Sequence, residues 1–194
     1  MRIVLRHSLH LAIIACWVVF ACVWLIASFN TKAAKRRQSS ASRAVHVALE
    51  VVAFFLLFDE DTAIGPLGWR FLPHSLSSAI AGLAITVTGI LFAIWARFYL
   101  GTNWSAAVTV KQDHELVRSG PYKWVRHPIY TGICFAFLGT AIDIGEVRAL
   151  VGLILAATGY KLKSLTEESL MEEQFGTEYG RYKREVKGLI PFVW

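Results

Sequence analysis

Long apolar runs alternate with short charged islands along this chain. Residues 9–29 form 21 consecutive positions without a carboxylate, lysine or arginine. At about 1.5 Å per helical residue, such a run crosses a hydrocarbon core about 30 Å thick. Lys32, Lys35, Arg36 and Arg37 follow it, whereas a cleaved signal peptide has a shorter apolar stretch and small residues at its end. The pattern therefore predicts a retained first span. The run 45–58 is interrupted by Glu50 and closed by Asp59, Glu60 and Asp61; it is short for a span and predicts a second one extended by flanking residues. Gly65, Pro66, Gly68 and Pro73 then predict a loop. Residues 77–100 predict a third span with Arg97 near its end, and 129–144 and 149–160 a fourth and fifth. The connection between the last two is so short that they must be antiparallel neighbours, a helical hairpin.

Composition agrees with this pattern. Hydrophobic residues make up 55% of the 194 and charged residues 18%, against about 45–50% and about 25% in soluble domains. The net charge of +6 does not point to nucleic acid, because the basic residues flank apolar runs, where they mark the cytoplasmic face and anionic lipid. With five spans, residues 30–44, 101–128 and 161–194 share one side and hold 15 of the 20 Lys and Arg. That side is the cytoplasmic one, which puts the N-terminus outside and the C-terminus inside. Cys16, Cys22 and Cys134 sit in apolar runs and read as packing residues. The six histidines show no metal-ligand spacing, so no metal is expected. The fold class is all-α: a polytopic integral membrane protein with about five transmembrane helices, in one domain spanning 1–194.

Two polar segments on the cytoplasmic side could converge. In the first, Ser119-Gly120-Pro121-Tyr122 signals a turn, and Arg126-His127-Pro128 places proline in the first turn of the fourth span. Two readings stay open. Arg126, His127, Trp124 and Tyr130 could anchor the helix at the headgroups, or the helix N-terminus could hold an anion. In the second segment, Glu167, Glu168, Glu172 and Glu173 lie in a helical stretch ending at Gly176. Ser164-Leu165-Thr166-Glu167 matches a capping box, which predicts a helix start there. The carboxylates read either as a solvated face or as a pocket for a cationic ligand.

At these residues the sequence resembles the isoprenylcysteine carboxyl methyltransferases and the related membrane phospholipid methyltransferases. The resemblance rests on Asn103-Trp104-Ser105, His114-x-Leu116-Val117, Gly120-Pro121-Tyr122, Arg126-His127-Pro128-x-Tyr130, Glu167-Glu168, Phe175-Gly176-x-Glu178-Tyr179 and Leu189-Ile190-Pro191. It covers 101–194 as the cofactor-binding and catalytic core, with 1–100 as N-terminal spans. The resemblance implies S-adenosyl-L-methionine as methyl donor, contacted by His114, Glu115, Leu116, Val117, Tyr122, His127, Pro128, Ile129, Tyr130 and Glu167. It also implies that Arg126 holds the cofactor carboxylate or orders the pocket. The prenylcysteine enzymes carry arginine near the acceptor carboxylate where this chain has Lys163. Lysine keeps the charge but not the two-pronged hydrogen bond, so the acceptor stays open while the reaction class does not change.

The implied partners are membrane lipids and a lipophilic methyl acceptor, either a prenylcysteine-like carboxylate or a lipid. A carboxylate acceptor needs no base, whereas a phospholipid amine would make Glu167, Glu168 or His127 a candidate base. The alternatives are a phospholipid N-methyltransferase and a non-catalytic membrane protein that keeps the fold.

Overall fold

The computed structural model describes residues 1–29, 34–37, 40–101, 104, 109–111 and 116–189. Five long helices carry the chain: α1 (Arg2–Ser28), α2 (Ser40–Phe58), α3 (Leu76–Leu100), α4 (Pro128–Ile144) and α5 (Val147–Phe175). A short α6 (Thr177–Glu185) follows. Three stretches, Ile3–Ser28, Ala41–Phe58 and Leu76–Leu100, are long and apolar enough to cross a membrane. Pro128–Ile144 is a shorter apolar helix. One element departs from an all-helical expectation. Strand β1 (Ala34–Arg37) pairs antiparallel with β2 (Thr109–Lys111), joining the two basic loops by backbone hydrogen bonds that composition does not reveal.

The closest helix packing joins α3 to α4, and its cause is the absence of side chains. A Cβ on Gly89 would lie 2.5 Å from the Gly132 carbonyl oxygen, and one on Gly139 would lie 2.5 Å from that of Gly82. The pairs Gly82–Gly139 and Gly89–Gly132 have the constant index sum of two antiparallel helices in register. Small residues let backbones approach in a membrane, where apolar side chains gain nothing from leaving lipid. Thr86 and Thr140 sit fully buried in this seam, and Thr140 accepts a 3.0 Å hydrogen bond from the Trp17 indole of α1. Trp17 also meets Phe20, Phe54, Phe58 and Phe137 edge-on, so α1, α2 and α4 share one aromatic core.

Arg97, near the end of α3, is 3% exposed. Its guanidinium donates to the carbonyls of Ala27 and Gly101 and lies over the Trp104 ring, pinning the C-terminal ends of α1 and α3 together. At the other end, Arg6 donates to the Asp143 carbonyl and Arg148 to those of Leu56 and Leu57. These contacts join the N-terminus of α1 to the C-terminus of α4, and the N-terminus of α5 to the C-terminus of α2. The long helices therefore alternate in direction.

The expected hairpin of α4 and α5 turns at Gly145, whose positive φ of 70° lets its N–H close on Ala141. The helix start expected at Ser164 is not there. Helix α5 runs unbroken from the apolar stretch to Phe175, and the Ser164 hydroxyl donates to the Lys161 carbonyl within it. Between 149 and 175 the chain contains no proline and no glycine beyond Gly152 and Gly159, so nothing halts the helix. The helix simply continues past its apolar stretch and carries Glu167 and Glu168 with it.

Candidate functional site

The site forms where the N-terminus of α4 meets the projecting half of α5. Pro128 occupies the first turn of α4, where its missing N–H costs nothing. The N–H groups of Arg126 and His127 are taken by the carbonyls of Lys187 and Gly188, at 2.8 and 3.1 Å. Thr131 closes the same seam onto the Leu189 carbonyl at 2.6 Å. The segment after α6 thus straps the entry of α4 and holds Arg126 and His127 facing α5.

Adjacent glutamates on α5 point about 100° apart, so each takes a different partner set. Glu168 receives Arg126 through Nε at 3.1 Å and a terminal nitrogen at 2.6 Å. It also lies 3.0 Å from His127 Nε2 and 3.0 Å from Lys183 Nζ. Glu167 accepts the Tyr130 hydroxyl and lies 3.3 Å from His127 Nδ1. His127 therefore bridges two carboxylates. The remaining Arg126 nitrogen donates to the carbonyls of Lys183 and Val186, so the guanidinium is occupied by the protein itself. Burial alone would lower the His127 pKa, but hydrogen bonds and charge from Glu167 and Glu168 raise it above its ordinary value. Burial would raise both glutamates. The His127 hydrogen bond and charge outweigh it at Glu167, helped by Lys163, and hold that carboxylate below its usual range. Hydrogen bonds from His127 and Arg126, joined by Lys183, hold Glu168 well below it.

An aromatic stack leads from this cluster into the apolar region. The His127 and Tyr130 rings are 5.7 Å apart at 11°, and Tyr130 and Tyr160 are 5.0 Å apart at 20°. Lys163 Nζ lies 5.2 Å from the Tyr130 ring centre. The arrangement can hold a ligand with separated positive and negative charges against a flat apolar wall.

Of the residues expected from the sequence, Arg126, His127, Tyr130, Lys163 and Glu167 come together here. Pro128 and Ile129 are buried in the first turn of α4. Tyr122 is buried nearby; its hydroxyl donates to the Ala96 carbonyl at 3.4 Å, and its own carbonyl accepts Tyr182 at 2.6 Å. Leu116 and Val117 are half-buried. His114 and Glu115 lie outside the described residues, as do Asn103, Ser105, Ile190 and Pro191. Glu168 was expected only as a candidate base for an amine acceptor, and Lys183 and Tyr160 were not expected at all. The doubled Glu167-Glu168 was a signal for the first; nothing in the sequence pointed to the other two.

The fold and cluster define a membrane-embedded helical protein with a charged, partly aromatic cluster at one end of its helices. The phospholipid methyltransferase family matches residues 77–178, from α3 into α6, and the chain belongs to that family. It is 32% identical over 130 residues to the human protein-S-isoprenylcysteine O-methyltransferase, covering 64% of this chain and 45% of that one. It is 30% identical over 178 residues to methanethiol S-methyltransferase of Mycobacterium tuberculosis, covering 79% and 65%. Among solved structures it resembles the eukaryotic intramembrane Ras methyltransferase (isoprenylcysteine carboxyl methyltransferase), with a TM-score of 0.50 and 26% identity over 80% of this chain and 54% of that one. The chain spans less than half the length of the human relative.

Proposed function

We propose that this protein is an intramembrane methyltransferase that transfers the methyl group of S-adenosylmethionine to a lipophilic acceptor, as its isoprenylcysteine O-methyltransferase relatives do to theirs. The observation that carries the reading is the junction of Arg126, His127 and Tyr130 with Lys163, Glu167 and Glu168 at the inner ends of α4 and α5. The donor set suits the cofactor. An ionised Glu167 matches a sulfonium or ammonium, and the Tyr130 and Tyr160 rings offer apolar faces. S-adenosylmethionine supplies an already activated methyl group. The protein's work is therefore to orient and to exclude water, which can contribute about 7–11 kcal/mol. Glu168 keeps Arg126 and His127 in place, and His127 with Tyr130 aims Glu167. His114, Glu115, Leu116 and Val117 complete the cofactor's surroundings in this reading. The acceptor enters laterally from the bilayer, with Lys163 on its side of the pocket. Five spans place the N-terminus outside and the site at the cytoplasmic face.

The test is calorimetric titration of S-adenosylmethionine into the detergent-purified protein. Glu167→Ala and His127→Ala should each weaken binding at least ~10-fold, as expected for loss of a charge-assisted hydrogen bond. Unchanged affinity in both variants removes the site assignment. A second acceptor class, a thiol, is favoured by the mycobacterial thiol methyltransferase, whose match covers more of this chain than the human isoprenylcysteine enzyme's does. A labelled-methyl assay on a farnesylcysteine analogue, phosphatidylethanolamine and a long-chain thiol separates the acceptors.

A further inference from the structure

Helices α1, α3 and α5 begin at the end of the molecule opposite the Arg126–Glu168 cluster, and α2 and α4 end there. A cavity of about 910 Å³ opens between them, a size typical of sites that hold small molecules. Three arginines line it: Arg6 from the start of α1, Arg70 from the loop before α3 and Arg148 from the start of α5. His7, His10 and His74 line it with them, and no lysine does. In the proposed five-span arrangement this end faces away from the cytoplasm, where basic residues are few. Of the arginines on that side, at positions 2, 6, 70 and 148, all but the first meet in this one cavity.

Helix capping explains part of the cluster. Arg148 donates to Glu146 and to the carbonyls of Leu56, Leu57 and Asp59, closing the end of α2. Arg70 donates to Glu146 at 3.0 Å and to the Ile144 carbonyl at 2.7 Å, closing the end of α4. Capping leaves a remainder. Glu146 alone serves two arginines, and the fully buried Asp143 serves both His10, at 2.6 Å, and Arg6, at 3.7 Å. The Arg6 pair is loose, since neither Arg6 Nε nor Asp143 Oδ1, both buried, has a hydrogen-bond partner among the described residues. Glu60, the other lining carboxylate, is exposed. His74 is exposed too and makes no hydrogen bond to another described residue. Burial and then the charges of Arg6 and Arg70 push its pKa down, outweighing Asp143 and Glu146, as expected where cations crowd together. Apolar surface adjoins these groups. Ile3 and Leu76 line the cavity, and Ile80, one turn beyond Leu76, is exposed on α3.

We propose that this cavity is a binding site for a phosphate group, received by Arg6, Arg70 and His74. A guanidinium has five N–H donors in a planar fork that matches phosphate oxygens, so Arg6 and Arg70 keep donors beyond those used in capping. A phosphate gives Arg6 Nε its missing acceptor and relieves the crowding of positive charge around His74. The N-terminal ends of α1, α3 and α5 add their positive dipole ends, while the arginines already cover the carbonyls that end α2 and α4. An anionic phospholipid and a free phosphate both present this group. The apolar lining at the level where the spans end favours the lipid, its chains lying over Leu76 and Ile80. The site is separate from the methyl-transfer cluster and does not depend on that reading.

The test titrates the detergent-purified full chain with dihexanoyl phosphatidic acid, with inorganic phosphate and with dihexanoylglycerol. Phosphatidic acid should bind saturably and the uncharged glyceride should not. Tighter binding of phosphatidic acid than of inorganic phosphate identifies a lipid site, and equal binding a free-phosphate site; both support the phosphate assignment. Arg6→Gln and Arg70→Gln should each weaken binding at least ~10-fold, as expected for loss of a charge-assisted hydrogen bond. Because both arginines also cap helices, His74→Glu is the independent variant: it breaks no hydrogen bond, should leave the melting temperature unchanged, and should weaken binding at least ~10-fold by placing a carboxylate beside the phosphate. No saturable binding of either phosphate compound, equal binding of the glyceride, or undiminished affinity in His74→Glu or in both arginine variants overturns the inference.

Discussion

At the scale of single residues, His127 between Glu167 and Glu168 sets how the site responds to pH. The glutamates' pKa values are depressed below their ordinary 4.5. Their contribution to stability is therefore complete above about that value and is lost as pH falls through the folded-state values. His127 is raised above its ordinary 6.5. Its contribution is complete below 6.5 and is lost as pH rises through the folded-state value. Thermal melts of the detergent-solubilised protein should show a plateau between these two values and a decline on each side. In His127→Gln the alkaline decline attributable to this group should vanish; its persistence unchanged would show that the bridge does not set it. The motif residues Arg126, His127, Tyr130 and Glu167 were legible in the sequence because a family pattern marks them. Lys183 was not, because it lies 15 residues beyond Glu168 and reaches it only after the chain reverses at Gly176, whose φ is 52°.

At the scale of elements, the α3–α4 seam holds the entry of α4 in position. Gly89→Ala would put a methyl carbon 2.5 Å from the backbone of Ala136 and Gly132, neither of which can yield alone. Overpacking of this kind costs about 1–3 kcal/mol. The variant should melt earlier and bind the cofactor more weakly through displacement of α4. Gly180→Ala in α6, with nothing nearer than 3.9 Å, should instead stabilise by about 0.5–1 kcal/mol through helix propensity. Equal melting temperatures for the two variants would contradict the seam's role. The periodic apolar runs announced the helices but not this seam, since a glycine in a span reads the same whether it meets lipid or another backbone. The false helix start at Ser164 has a similar origin. A Ser-x-x-Glu pattern is meaningful only where the preceding turn is absent, and here α5 passes through it.

At the scale of the whole molecule, alternating helices put strands β1 and β2, residues 116–127 and the α6 segment at one end. The turns around Gly65 and Gly145 lie at the other. With the three native cysteines replaced, a cysteine at Glu178 should react with an impermeant thiol reagent in inside-out vesicles only. One at Gly65 should react in right-side-out vesicles only. Labelling of both positions from one side would overturn the five-span arrangement. Residue order alone determined that this chain belongs in a membrane, roughly where its helices run, and which motif residues were to be looked for together. Those properties follow from local hydropathy and spacing, which a linear chain displays directly. The tertiary structure decided that Arg126 is claimed by Glu168, that His127 bridges two carboxylates, and that α2 packs on α5 at Gly159. Contacts between residues forty or more positions apart depend on which helix faces meet, and that is settled by close packing at glycines whose neighbours the sequence does not name.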